Sequence, residues 1–394
     1  MNGQPVTQPP GEPDGTGYDL AYELREASDA ELTAILNAAD QADIAMHQPG
    51  ALATPVTRAR PGTAEIVLLG ALGCRYGMLA GGAGGYLLRT PAASVLVDPG
   101  PAALGMLASL HGTSFFSWTE LDAIICTHFH PDHYTGIIPC LEAMASYAAP
   151  GSPCKLLLAN PTTAARFTAF SPYHAGGMAD VITLAHPATD GHGEPAVKIG
   201  DLTIYAVPAA HTEEAGRHRA AIGLAFATPA GGIWHTSDTT LADGLLAAVS
   251  DILAEVTLVI AHADASNLSA DPARAAVCHL QTGDVLPIVT ALQPREVIIQ
   301  HYDAAYSAAA YRVAQAAWLQ RQLGRDSQPA RILPGISGLH VTLDPGGVCG
   351  WDIHMTGPSA PAISSYLQAV LTSGHKTVSS RRGCAPAGRA GQQR

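Results

Sequence analysis

Charge is scarce in this 394-residue chain: Asp, Glu, Lys and Arg together make up 14% of it. Lysine is scarcer still, with only Lys155, Lys198 and Lys376 among 21 basic residues, and the net charge is −12. Proteins that grip a phosphate backbone carry a basic face, so no nucleic-acid partner is expected. Long apolar runs are also missing. Stretches such as 65–69 and 256–260 are strand-length, far short of the roughly 18 residues that read as a membrane helix, and no membrane partner is expected. The opening Met1-Asn-Gly-Gln-Pro lacks a basic segment followed by an apolar one, so no secretory signal is read and a cytoplasmic location is expected. Seven cysteines are scattered without a CxxC pair, which suits reduced, buried thiols.

What the chain does hold is apolar residues, at 47%, and 17 histidines. The first supports a sizeable core and excludes a mostly disordered chain. The second asks whether the histidines cluster.

Along the chain, residues 1–17 are rich in Pro, Gly, Gln and Thr and read as disordered, while 18–46 carry leucines at helical spacing with Ser28 three residues before Glu31, a helix-start signature. Residues 49–61 read as linker. Three segments follow: 1–62 as appendage, 63–350 as one main domain, and 351–394 as a C-terminal extension ending in a basic tail. Within the middle segment, strands are read at 65–69, 85–89, 94–97, 121–126, 155–158, 221–227, 232–236, 256–261, 296–300 and 339–343, with a hairpin at 197–207. Helices are read at 137–147, 161–170, 240–253, 279–292 and 308–323. Gly81-Gly-Ala-Gly-Gly85 lacks the Gly-Lys-Ser/Thr of a phosphate loop and reads as a tight turn.

The strongest chemical signal is His128-x-His130-x-Asp132-His133, placed directly after a strand and before a helix. Four nitrogen and oxygen donors converge within six residues. Imidazoles with carboxylates suit Zn²⁺ well, and Mn²⁺ or Fe²⁺ less selectively.

This segment resembles the defining motif of the metallo-β-lactamase-fold hydrolases, in particular the branch with RNase Z-like, phosphodiesterase-like and sugar-lactone hydrolase-like members. The resemblance spans about 64–345 and implies an α/β fold, an αββα sandwich of two mixed β-sheets flanked by helices. It also implies the remaining ligands in order: His211, Asp238 and His301, each after a predicted strand. His128, His130 and His211 would hold one metal, Asp132, His133 and His301 a second, and Asp238 would bridge them. Two divalent ions, zinc first, are the implied cofactors. Family members that reduce oxygen at a di-iron centre carry glutamate where His130 stands, so hydrolysis is favoured over redox chemistry.

The resemblance implies attack by water activated between the ions, on a phosphodiester or related ester of a small-molecule substrate. Lactone or thioester hydrolysis is the alternative within the fold, and a non-catalytic, metal-containing accessory protein is the alternative outside it. Asp132 is expected to orient the nucleophile. His262, in Ile260-Ala-His-Ala-Asp264, is a candidate acid or supporting group, although the family places an acidic residue where Ala263 stands. His279 has a similar counterpart. Tyr134 and Tyr302 are expected to line the substrate site, and Arg217 and Arg219 could receive an anion. Ser237 replaces the glycine that usually precedes the bridging aspartate. A homo-oligomer stays open.

Overall fold

A computed structural model describes residues 28–31, 33–34, 37–38, 41, 56–79, 82–148, 151–187, 192–213, 220–265, 279–303, 308–325, 329–354 and 360–373. Residues 1–53 and 54–394 form two compact units. In the first, residues 29–31 are helical. The Ser28 backbone N–H donates to Glu31 Oε2 (2.8 Å) and the Glu31 N–H to Ser28 Oγ (3.4 Å), the reciprocal cap that the spacing predicts. The disordered stretch expected over 1–17 and the basic tail lie outside the described residues.

The second unit contains two mixed sheets. The first comprises β1 (Ala64–Leu68), β2 (Tyr86–Arg89), β3 (Ser94–Val97), β4 (Ala123–Cys126), β5 (Lys155–Ala159), β6 (Ala179–Thr183), β15 (Leu339–Asp344) and β16 (Gly347–Ile353), in the order β16-β15-β1-β2-β3-β4-β5-β6. The second comprises β7 (Ala196–Ile199), β8 (Leu202–Pro208), β9 (Ile222–Thr228), β10 (Gly231–His235), β11 (Val256–Ala265), β13 (Glu296–Gln300) and β14 (Arg331–Pro334), ordered β14-β13-β11-β10-β9-β8-β7. The short β12 (Leu280–Gln281) pairs with β11. Strands β3 to β6 run parallel, as do β10, β11, β13 and β14, and β12 is parallel to β11; the other neighbours are antiparallel.

The period-two alternation of side chains sorts the layers. Ile66, Leu68, Leu88 and Val95 point into one apolar cluster with Ile204, Leu224, Phe226 and Ile260 from the other sheet. The alternate residues Val67, Leu87, Leu96 and Ile124 instead join a cluster with Leu107, Leu141 and Phe167, on the helices Ala103–Leu110, Ile137–Tyr147 and Pro161–Phe170. On the far side, Trp234, Val259, Val297 and Ile299 pack with residues of Leu245–Ile252, Val285–Leu292 and Ala309–Arg325. Helix, sheet, sheet, helix is the αββα order.

The core continues beyond residue 350, where the sequence pattern alone would end it. β16 closes one edge of the first sheet, and helix Ala360–Ser373 places Ile363, Leu367 and Leu371 in the inter-sheet cluster. Those residues recur every fourth position, one stripe of a helix. No helix among the described residues is long and apolar enough to cross a membrane.

A largely half-buried polar cluster lies at the β15–β16 end. Arg89 pairs with Glu65 across β1–β2 at 3.0 Å and stacks 4.5 Å from the Phe115 ring centroid. His340 Nδ1 and His354 Nε2 lie 3.0 Å apart, both against Phe115. Burial, with help from the His354 and Arg89 charges, pushes His340 down to about 4. An unfolded histidine takes its proton near pH 6.5, so between about pH 6.5 and 4 the unfolded chain binds the extra proton. Stability present above pH 6.5 is therefore lost as pH falls toward 4, by roughly 3 kcal/mol from this group. Urea unfolding of metal-free protein at pH 7 and 4.5 should show His340→Phe flattening that loss; an unchanged pH dependence would contradict it.

Candidate metal centre

Each donor sits where a strand stops. β4 ends at Cys126, and the next residues carry His128 and His130 into a short helix, Pro131–Tyr134, whose first position is proline. Proline there suits a helix start because its missing N–H has no helical partner to lose. His211 follows β8, Asp238 follows β10 and His301 follows β13, so loops at one end of the sheets converge. His128, Asp132, His133, His211, Asp238 and His301 are all buried, and His130 is half-buried.

The ring nitrogens crowd together. His130 Nδ1 lies 3.1 Å from both His128 Nε2 and His211 Nε2. His133 Nε2 lies 3.2 Å from His301 Nε2, and Asp132 Oδ2 lies 3.1 Å from the same His301 atom. Asp238 joins the groups: its Oδ2 is 3.5 Å from both His128 Nε2 and His133 Nε2 and 3.8 Å from His211 Nε2, while Oδ1 is 3.3 Å from His301 Nε2. Two donor sets emerge, His128–His130–His211–Asp238 and His133–Asp238–His262–His301, each within 4.8 Å. Three imidazole nitrogens converging at 3.1 Å lack enough protons to satisfy each other, whereas one cation shared by their lone pairs satisfies all. The residues fit a metal. They bring together all seven ligands that the motif order implies, plus His262.

The surroundings orient the rings. His133 Nδ1 lies 3.0 Å from Asp98 Oδ2, and His128 Nδ1 lies 3.1 Å from Thr127 Oγ1, so each ring turns its Nε2 inward. Thr127 donates from both N–H and hydroxyl to Asp98 at 2.8 Å, and His235 Nε2 lies 3.3 Å from the same carboxylate. Burial opposes ionisation of Asp98, Asp132 and Asp238 most strongly, yet the surrounding imidazoles outweigh it and hold all three carboxyls well below the usual range. Burial keeps His128 neutral by pushing it well down, as a ligand requires.

Three of the four described non-glycine residues with positive φ belong to this region: Asp98 (48°), Ser237 (55°) and His301 (65°). Such backbone is held only where surrounding contacts impose it. Ser237 shows why glycine would suit its position, and its hydroxyl is anchored by donating to Thr127 Oγ1 at 2.7 Å. Gly73 backs His301 with no room for a side chain.

Several candidates fall elsewhere. Tyr302 is fully buried in the outer cluster of the second sheet, with the Arg312 guanidinium 4.9 Å from its ring centroid, and does not line the metal cavity. The backbone turns at His301, so adjacency in sequence does not place the next side chain in the site. Tyr134 stacks on Phe129 (4.2 Å, 2°) and lines a neighbouring apolar pocket with Ile138, Phe167 and Phe170. His262 is buried with both ring nitrogens engaged, and His279, also buried, sits 3.4 Å from Asp238 Oδ2. Arg217 and Arg219 lie outside the described residues. Sequence reasoning missed Asp98, His235 and Gln300. Asp98-Pro-Gly carries only a strand-stop signal, although a buried acid ending a strand beside the motif strand was there to be noticed.

The fold and centre define a metallo-β-lactamase-type sandwich with a His/Asp cluster able to hold metal. A family model described as "Beta-lactamase superfamily domain" matches residues 93–302, and the chain belongs to that family. Among solved structures, it is similar to the metallo-β-lactamase fold protein YhfI from Bacillus subtilis (18% identity, TM-score 0.52, covering 70% of this chain and 98% of that one). It is also similar to a diphosphatase from the PhnP family (16%, TM-score 0.50, 71% and 97%) and to a long form RNase Z from yeast (13%, TM-score 0.51, 79% and 44%). At these identities the likeness shows the fold. No curated protein matches the chain in sequence.

Proposed function

We propose that this protein is a dinuclear metal-dependent hydrolase that cleaves a phosphodiester or related ester of a small molecule. One observation carries the proposal: two donor sets share Asp238, whose carboxylate lies within 3.8 Å of ring nitrogens from both. His128, His130 and His211 would hold one ion, and Asp132, His133 and His301 the other. When bound, two divalent ions supply Lewis acidity toward the substrate oxygen and lower the pKa of water. The phosphoester preference draws support from fold relatives that include a diphosphatase and an RNase Z.

The protein's own groups divide the remaining work. The Asp132 carboxylate, next to His133 and His301, orients the attacking water by accepting a hydrogen bond from it. His279 is the proposed proton donor for the leaving group, because its Nε2 faces Asp238 Oδ2 at 3.4 Å within the same centre. His279→Gln should slow hydrolysis of alkyl esters strongly and spare p-nitrophenyl esters, whose leaving group needs no proton; equal slowing of both would remove His279 from that role.

The deciding experiment is a screen of zinc- and manganese-reconstituted protein against bis(p-nitrophenyl) phosphate, a lactone, a thioester and a β-lactam. Metal-dependent turnover of the phosphodiester is expected. Protein with both ions bound but inactive on every substrate would sink the hydrolase reading, and a faster lactone or thioester reaction would move the bond class.

A further inference from the structure

The contact between His262 and Asp238 is shorter than any between the donors that face the metal positions. His262 Nδ1 lies 2.9 Å from Asp238 Oδ1, while the donor pairs facing the metal positions stand 3.1 to 3.8 Å apart. Separations of 2.9 to 3.0 Å are where N–H···O hydrogen bonds cluster. Two ligand lone pairs aimed at one cation have no proton between them to draw them so close. A proton on Nδ1 leaves Nε2 as an acceptor in a neutral ring, and Gln300 Nε2 lies 2.8 Å from it.

We infer that Gln300 and His262 form a hydrogen-bond relay that positions the bridging carboxylate: the Gln300 amide donates to His262 Nε2, and His262 Nδ1–H donates to Asp238 Oδ1. His262 is thus a positioning residue, neither a metal ligand nor an acid for the leaving group. The inference rests on the metal-centre reading above.

The geometry shows what the relay achieves. With Oδ1 held by His262, Oδ2 is left facing His128, His133, His211 and His279 at 3.4 to 3.8 Å, the place from which one oxygen reaches both donor sets. The His262 ring is itself fixed. It stacks on His301 (4.7 Å, 15°), meets His235 edge-on (4.6 Å, 80°), and its backbone N–H donates to Thr236 Oγ1 at 3.0 Å. Outer hydrogen-bonding partners of this kind set metal affinity.

The relay predicts opposite results from those of a ligand role. Full-length apo-protein is titrated with Zn²⁺ against a chelating indicator, and its folding is checked by circular dichroism and urea unfolding. His262→Ala should weaken the second ion roughly 10- to 100-fold. His262→Asn, whose amide N–H can stand near Nδ1, should restore most of that affinity. Gln300→Met removes the donor that holds Nε2 as an acceptor and lets the ring carry its proton on either nitrogen; it should weaken the second ion, by less than His262→Ala does.

Zinc affinity in Gln300→Met equal to or above that of the wild type would overturn the relay. His262→Ala or His262→Asn results also decide alone: wild-type affinity in His262→Ala, or no recovery in His262→Asn, would overturn it. Wild-type protein that takes up no zinc would instead strike down the metal-centre reading itself.

Discussion

Gly73→Ala should cost about a hundredfold or more in kcat/KM and release the second metal ion. A Cβ at position 73 would lie 2.2 Å from His301 Nδ1 and 2.3 Å from Cε1 and Cγ. Neither side can yield cheaply. The Gly73 N–H donates to Tyr302 O at 3.0 Å, Tyr302 N–H donates to Ala71 O at 2.9 Å, and His301 is already held at φ 65°. The ring must leave its place beside His133 and Asp132, and a displacement of about 1 Å in a positioned group is enough for a loss of that size. Zinc content and steady-state kinetics measure it. Two tightly bound ions with wild-type rates would mean that Gly73 and His301 do not pack as described.

Asp132→Asn should lower turnover by on the order of 10³-fold or more, equivalent to about 4 kcal/mol of barrier. The carboxylate lies 3.1 Å from His301 Nε2 and 3.5 Å from His133 Nε2, so in the proposed mechanism its charge would serve both the second ion and the attacking water. The amide keeps the shape and removes the charge. Melting of the apo-protein should stay cooperative, which separates lost chemistry from lost folding. Wild-type activity in this variant would show that Asp132 has been given the wrong role.

Much of this was legible from residue pattern. The helices at 137–147 and 161–170 and the strands at 94–97 and 296–300 were readable to the residue, because apolar periodicity changes sharply at Gly136, Asn160 and Asp98. The motif residues could be found because four donors packed into six positions rarely occur without a cation to hold. What escaped depends on tertiary packing. β6 and β16 have partly exposed residues and weak alternation, and β14 is a mostly buried run of four residues; pairing to a neighbour rather than propensity makes them strands. Residues 279–284 resemble a helix start, yet Leu280 and Gln281 pair with Ala263 and Ala265 before the helix begins at Val285. Tyr302 looked like a site residue by adjacency to a ligand, but a left-handed backbone at His301 sends it into the core. Asp98 and Gln300 act through His133 and His262, and no spacing rule connects residues 35 or 38 positions apart.

The central claim is that this chain builds one centre for two metal ions. Elemental analysis of purified protein, after reconstitution with zinc and removal of loosely bound ions, tests it most directly. The account predicts close to two ions per chain, falling in Gly73→Ala as the second donor set loses His301. Protein that is folded, fully reconstituted and free of metal would contradict it.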